Sequence, residues 1–249
     1  VSRRSGFQAP GDWGELCAIV RVPDITMTRA GQIKVATLVA AAESLIRVGD
    51  RIVCLTGIDG SGTIDTIIVL DLGTEIEMFA SAAADPLPAD VTPTVFERLL
   101  TLSSELGLEG REGRPVGTIF VVGDSDHVLS QSHQLVINPF HGYPEGERNV
   151  LDPRLEETLK EFSAIDGAFV IRGDGVILSA GRYLAPYSKL EEPLPQGLGT
   201  RHEAAAAITM TTEAMALCIS QSTGTISIFK RGRLIADIQK PRGRASNEL

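Results

Sequence analysis

Three short stretches of this chain combine residue types that can do chemistry on a phosphate. The first is Asp166-Gly167-Ala168, a carboxylate followed at once by glycine, at the end of the helical stretch LDPRLEETLKEFSAI. A second pair, Asp174-Gly175, sits between two β-rich arms and supplies the turn of a hairpin. The first pair sits where no hairpin turn is required, so it is either a helix stop or a functional acid. The second stretch, GLGTRHEAAAAI from Gly197 to Ile208, places glycines, Thr200, Arg201 and His202 in the loop and first turn of an alanine-rich helix. Free backbone N–H groups and the positive end of the helix dipole favour an anion there. Arg201 adds a planar fork suited to phosphate oxygens, and His202 a further donor. The plainer alternative is that Thr200 caps the helix while Arg201 and Glu203 are solvated. The third stretch, SQSTG from Ser220 to Gly224, gathers the hydroxyls of Ser220, Ser222 and Thr223 in a turn between two strands, which alone reads as a hydrophilic turn.

The elements that must position these groups are legible in the hydrophobic pattern. From Ile33 to Ile46 apolar residues recur at helical spacing, and VGDRIVCLTG and TIIVLDLG then read as two strands. The connection between them, Gly57 to Thr63, is glycine-rich, but no lysine follows and a strand rather than a helix comes next, so it reads as a plain strand connection. ASAAADPLPADVTP, from Ala80 to Pro93, reads as a linker. Beyond it come a helix (TVFERLLTLSSELGLEG), an apolar strand (VGTIFVVGD) and a helix N-capped by Asp152 with Pro153 at its first position. The hairpin GAFVIRGDGVILSAG, the alanine-rich helix and three strands (ALCIS, TISIFK, RGRLIADI) follow. Strands interleaved with helices, some joined as hairpins, indicate an α/β fold with a mixed sheet. The expected division is a smaller α/β domain over 1–90, a larger domain over 91–241 and a flexible tail over 242–249.

Composition narrows the function. The chain has 249 residues with 23 basic and 32 acidic side chains, a net charge of -9, which disfavours nucleic acid as a partner. The one local basic run, Lys240 to Arg244, reads as part of a solvated tail. No apolar run approaches the roughly 20 residues that span a bilayer, and the N-terminal stretch lacks a secretory pattern, so a cytoplasmic protein with no membrane partner is expected. Cys17, Cys54 and Cys218 lie far apart in apolar segments and read as reduced packing residues. His127, His133 and His141 match no common zinc spacing and read as solvated or capping.

Taken together and in order, DGA (Asp166 to Ala168), GTRHEAA (Gly199 to Ala205) and SQSTG (Ser220 to Gly224) resemble the marks of the diadenylate cyclase family, in its archaeal stand-alone form with an N-terminal α/β domain. The resemblance runs from about Pro93 to Ile238. It implies a mixed-sheet cyclase domain with helices on both faces, which condenses two ATP into cyclic di-AMP and releases two pyrophosphates. It implies that Asp166 activates the attacking hydroxyl together with a divalent metal (manganese, magnesium or cobalt), which Asp166 would ligate. Arg201 and His202 would act with it on the reacting phosphates. Gly167 would let the nucleotide approach the backbone, with Ala168 beside it. Gly199, Thr200, Arg201 and His202 would hold phosphates, and Ser220, Ser222 and Thr223 the triphosphate. Leu184 would pack on adenine. Two domains facing each other would complete one active site, so a homo-dimer or larger homo-oligomer is implied, organised by an N-terminal domain of unknown function. The chain departs from the family pattern at Glu203, where many members have arginine, and at Gln221 and Ser222, which replace two carboxylates. A catalytically silent module that binds ATP or cyclic di-AMP is the alternative to an enzyme.

Overall fold

Alternating apolar residues allow one sheet to carry a core on each face. In the computed structural model, which describes residues 20, 22, 27–57, 63–72, 87–186, 194, 195 and 197–239, the elements run as follows. The N-terminal part holds α1 (Arg29–Ala42), β1 (Arg51–Thr56) and β2 (Thr66–Asp71). Next come α2 (Pro93–Glu109), β3 (Ile119–Val122), α3 (Ser125–Ser130), β4 (Ser132–Gln134), α4 (Glu156–Phe162), β5 (Ala168–Ile171) and β6 (Ile177–Leu184). The chain closes with α5 (Thr200–Met210), β7 (Met215–Ile219), β8 (Ile226–Lys230) and β9 (Arg233–Ile238).

Seven strands form one sheet in the order β4-β6-β5-β3-β7-β8-β9. The central pair β3–β5 is parallel, and every other neighbouring pair is antiparallel. β3 sends Phe120 and Val122 to one side, where Leu99, Leu102 and Leu106 of α2 and Leu159 of α4 cover them. Ile119 and Val121 go to the other side, against Val128 of α3 and Ala205, Ala206 and Ile208 of α5. The fold is thus α/β, a mixed sheet with helices on both faces. The alanines of α5 meet Ala168, Ala216 and Cys218 on the strands. Burial pushes the Cys218 thiol up to about 12, so it stays a protonated packing group. Cys54 is half-buried, and Cys17 lies outside the described residues.

Local chemistry explains where the helices begin. Thr92 Oγ1 accepts from the Val95 N–H (3.4 Å) and Pro93 opens α2. Asp152 accepts from the Arg154 N–H (2.9 Å), but Pro153 opens a 3-10 turn over Pro153–Leu155 before α4 sets in. α1 starts ahead of the expected Ile33 because Thr28 Oγ1 accepts from the Gly31 N–H (3.1 Å). The short α3 and β4 are absent from the sequence reading: neither is long enough to show a period. The second Asp-Gly pair does turn β5 into β6: Arg172 N–H donates to Val176 O (2.8 Å) and Gly175 N–H to Arg172 O (2.8 Å).

β1 and β2 pair antiparallel, as the plain-connection reading of Gly57 to Thr63 requires; residues 58–62 lie outside the described set, as do 80–86 of the expected linker and the expected tail. α1 is continuous with the larger core, since Val35, Leu38 and Val39 share one apolar cluster with Ile235, Ala236 and Ile238 of β9. Lys34, with only 9% of its side chain exposed, ion-pairs with Asp237 on that strand. Among the described residues no helix is long and apolar enough to cross a membrane.

Removing one partner of a buried pair strands the other charge. Asp237→Ala is therefore expected to lower unfolding stability by roughly 3 kcal/mol. The double change Lys34→Met with Asp237→Leu should recover most of that loss. Urea unfolding of the three proteins checks this, and equal losses for single and double variants would refute it.

Candidate active site

The carboxylate of Asp166 stands free because of its neighbour. Gly167 adopts φ +106°, and a Cβ there would lie 2.7 Å from the Arg182 nitrogen and the Gly181 carbonyl carbon. Only glycine fits against the β6 backbone here, and the same glycine lines the cleft. The chain leaves α4, presses against β6 and enters β5, and Asp166 is left with its side chain 84% exposed at the edge of a cleft of about 740 Å³.

Asp166, Gly167, Ala168, Leu184, Thr200 and Arg201 all line this cleft. α5 begins there, with Gly199 in the N-cap position and Thr200 as its first helical residue, so the Thr200 side chain is not the cap. Arg201 reaches Asp166 Oδ1 at 3.4 Å and Gln221 Oε1 at 3.4 Å. Both contacts are at the long end of hydrogen bonding, so the guanidinium can be re-aimed at an anion with little loss. Apolar walls come from Ile119, Leu135, Leu184, Leu194 and Leu198. Polar cations and anions at one end and apolar walls around them suit a ligand with a charged end and an aromatic or aliphatic body.

His202 is placed differently. It is buried, does not appear among the cleft-lining side chains, and packs edge-on against Phe229 with ring centroids 6.2 Å apart. Its Nδ1 accepts from the Gly199 N–H (3.3 Å), so the ring fastens the N-terminal loop of α5 from beneath. Burial, and secondarily the Arg201 charge, holds the imidazole below its ordinary value.

The hydroxyl turn lies next door. Ser220, Ser222 and Thr223 line a smaller cleft of about 220 Å³ with Gly107, Gly110 and Gly113. The turn is tied internally, Ser220 Oγ to Ser222 Oγ (3.2 Å) and Thr223 Oγ1 to Thr225 Oγ1 (3.0 Å). It also abuts the end of α2: a Cβ on Gly224 would lie 2.3 Å from Gly107 O, and one on Gly107 2.5 Å from Gly224 O. Gln221, which contacts Arg201 and donates to Pro115 O (3.4 Å), stands between the two clefts.

Three cleft residues carry weight that the motifs do not show. Tyr183 adjoins Leu184 and lies over His133, with centroids 5.0 Å apart. Arg182 also lines the cleft, but its guanidinium donates to Ser132 Oγ (2.8 Å), Ser132 O (2.6 Å) and Leu129 O (3.1 Å), tying β6 to β4 and α3. Leu135 follows β4 and forms part of the rim. Alternation along β6 was the available signal for Tyr183; nothing in the sequence marks Arg182 as structural. His127 is exposed, with Nδ1 2.6 Å from Asp124 Oδ1, and that carboxylate raises its pKa.

The family described as DisA bacterial checkpoint controller nucleotide-binding matches residues 105–234, and a probable sensor domain, DacZ_P, matches residues 1–79. A diadenylate cyclase of Methanocaldococcus jannaschii is 36% identical over 192 residues, 77% of this chain and 60% of that protein. One of Haloferax volcanii is 39% identical over 204 residues, 80% of this chain and 71% of that protein. The chain belongs to the diadenylate cyclase family. A third diadenylate cyclase, of Listeria monocytogenes, is 42% identical over 76 residues, 30% of this chain and 26% of that protein. The chain spans less than two thirds of the length of the Methanocaldococcus relative. Within the family match lie the acid, the loop before α5 and the hydroxyl turn, at the mouths of two adjoining clefts.

Because His202 is held below 6.5 in the folded state, the unfolded chain binds more protons just below that pH, and stability falls as pH drops from 6.5. His127, with its raised pKa, acts in the opposite sense, losing its contribution as pH rises. The difference between wild type and His202→Asn isolates the first: the wild type should lose more stability between pH 7.5 and 5.5 than the variant. Urea midpoints at the two pH values test it, and parallel losses would refute it.

Proposed function

We propose that this chain is a diadenylate cyclase that condenses two ATP molecules into cyclic di-AMP with release of two pyrophosphates. The observation that carries the reading is the exposed Asp166 carboxylate beside Arg201 at one open, nucleotide-sized cleft at the start of α5. In each half-reaction a bond forms between a 3′-oxygen and the α-phosphorus of the other ATP. The bond from that phosphorus to the bridging oxygen breaks, and pyrophosphate leaves with its electron pair.

Asp166 takes the proton of the attacking hydroxyl. Among the described residues its oxygens meet the long contact to Arg201, which leaves them available both to that proton and to a cation. Among the described residues no group of three or more His, Cys, Asp or Glu could hold a metal alone. A manganese, magnesium or cobalt ion held by Asp166 and by substrate phosphates fits that donor set. Such an ion supplies Lewis-acid stabilisation of phosphate charge and a more acidic hydroxyl. Arg201 and the first N–H groups of α5 take up charge at the phosphates, with Gly199 and Thr200 beside them. His202 contributes by holding that loop. Leu184, with Tyr183 beside it, packs on adenine, and Gly167 and Ala168 form the floor next to the acid. Ser220, Ser222 and Thr223 receive the outgoing phosphates in the smaller cleft. The active unit is a homo-dimer, acting in the cytoplasm, and the N-terminal region serves oligomerisation or effector sensing.

Purified protein incubated with ATP and manganese, magnesium or cobalt should yield cyclic di-AMP by mass. Asp166→Asn should lower the rate at least 100-fold while ATP binding changes by less than about threefold. ATP binding without product under any metal would leave a nucleotide-sensing module instead.

Glu203 lines the same cleft, where its charge opposes the triphosphate. Glu203→Gln should lower the KM for ATP about fivefold at low ionic strength, corresponding to roughly 1 kcal/mol, with the gain shrinking at high salt. An unchanged KM at low salt would show that this carboxylate points its charge elsewhere.

A further inference from the structure

Gly117, just before β3, is a glycine for a reason its own backbone does not supply. It lies outside the left-handed region, yet a Cβ there would stand 2.9 Å from Gln221 Cβ, 3.0 Å from Arg201 Nη1 and 3.1 Å from the Gln221 nitrogen. The missing side chain leaves the floor on which the Arg201 guanidinium and Gln221 lie. That floor is fixed on both sides: the Ile219 N–H donates to Thr118 O (2.9 Å), and Gln221 Nε2 donates to Pro115 O (3.4 Å). From this support Gln221 Oε1 accepts from Arg201 Nη1 at 3.4 Å, while Arg201 Nη2 stands 3.4 Å from Asp166 Oδ1. Three arginines elsewhere close tightly on a nearby carboxylate: Arg172 on Asp174 at 2.7 Å, Arg154 on Asp152 at 2.7 Å and Arg111 on Glu161 at 2.6 Å. Arg201 stops short of such an approach, with its other terminal nitrogen held by an amide.

We propose that Gly117 and Gln221 form a seat on which Arg201 pivots: Nη1 stays on the Gln221 amide while Nη2 passes from Asp166 to an incoming phosphate, which frees the acid as the nucleotide arrives. Gln221 is then a positioning residue that acts through Arg201. What the freed acid does next rests on the cyclase reading. A neutral amide suits such a pivot. A carboxylate at position 221 would cancel the charge that the phosphate is to meet, and an apolar side chain would leave the guanidinium to close on Asp166. Contacts from two different nitrogens also fix the plane of the fork, and further N–H donors remain for the ligand. The seat lies where it can act, since Gln221 lines the smaller cleft and Arg201 the larger, and the pivot stands at the wall between them. Little is lost when Nη2 changes partner, because the contact it leaves is long and the Asp166 side chain is largely in water.

The test is Gln221→Leu in the full chain, at an exposed position, made both in the wild type and in Arg201→Lys, which keeps the charge and loses the fork. Two quantities are read: kcat for cyclic di-AMP formation, and the affinity for a fluorescent ATP analogue. In the wild type, Gln221→Leu should lower kcat about tenfold and the affinity about threefold. In Arg201→Lys the same change should alter each by less than about twofold, because the amide has no fork left to hold. Equal losses in both backgrounds would overturn the proposal, since they would mean that Gln221 serves the fold or touches the nucleotide itself. So would a Gln221→Leu protein with a kcat within about twofold of wild type. Gly117→Ala, which pushes on both partners, should lower kcat at least as much, and a folded Gly117→Ala protein with wild-type kcat would also overturn it; should that variant fail to fold, the Gln221 comparison decides. If the wild type forms no cyclic di-AMP under any metal, the cyclase reading falls. The seat is then judged by analogue affinity alone, as it is if Arg201→Lys forms no product: a loss for Gln221→Leu that vanishes in Arg201→Lys supports it, and equal losses or none reject it.

Discussion

The backbone of Gly167 lies so close to that of Gly181 and Arg182 that no side chain can stand between them. This contact decides where the acid goes. It forces the chain through a left-handed conformation between α4 and β5, and so turns the Asp166 side chain away from the sheet and into the cleft. The β5–β6 pairing carries register shifts just beyond it, between Ala168 and Ile171. On the far side of β6 the same strand holds Val136 and, through the committed guanidinium of Arg182, the segment from Leu129 to Ser132. Acid and rim are thus referred to one strand.

The opposite wall has its own logic. α5 sits on the sheet through alanines, and small side chains let its axis approach closely enough for its first turn to overlook the start of β5. His202 completes this wall from within, trading a charge it could carry in water for a neutral ring that closes the loop before the helix. Arg201, one residue earlier, keeps the opposite character: long contacts, partial exposure and freedom to turn. Two adjacent residues of one motif therefore do different work, one by burial and one by exposure, because successive positions on a helix face different surroundings.

Much of the architecture was legible because it rests on strong periods: α2, β3, the β5–β6 hairpin, α5 and the three closing strands lie where their patterns put them. The family was legible from the three motifs taken in order, although each alone also fits a helix stop, a capped helix or a hydrophilic turn. Other features were hidden for physical reasons. α3 and β4 are too short to show a repeat, and the buried state of His202 depends on Phe229, which is remote in sequence. The partition of the hydroxyl turn into a cleft of its own follows from the contact between Gly107 and Gly224, a tertiary fact. The structural role of Arg182 depends on partners on α3 and β4, about 50 residues away in the chain. The contact of Gly167 with β6 was likewise invisible, since Gly181 and Arg182 lie beyond a hairpin turn in the sequence.

The meeting of Gly107 and Gly224 has a consequence for how such a chain can change over generations. Each glycine excludes a side chain at the other's carbonyl, so either one mutated alone meets backbone, which cannot step aside as a flexible side chain would. The two positions, one ending a helix and one ending a turn, are thereby inherited as a unit. The side chains between Ser220 and Thr223 can change without disturbing this contact, while the height of the turn over α2 is set by backbone alone.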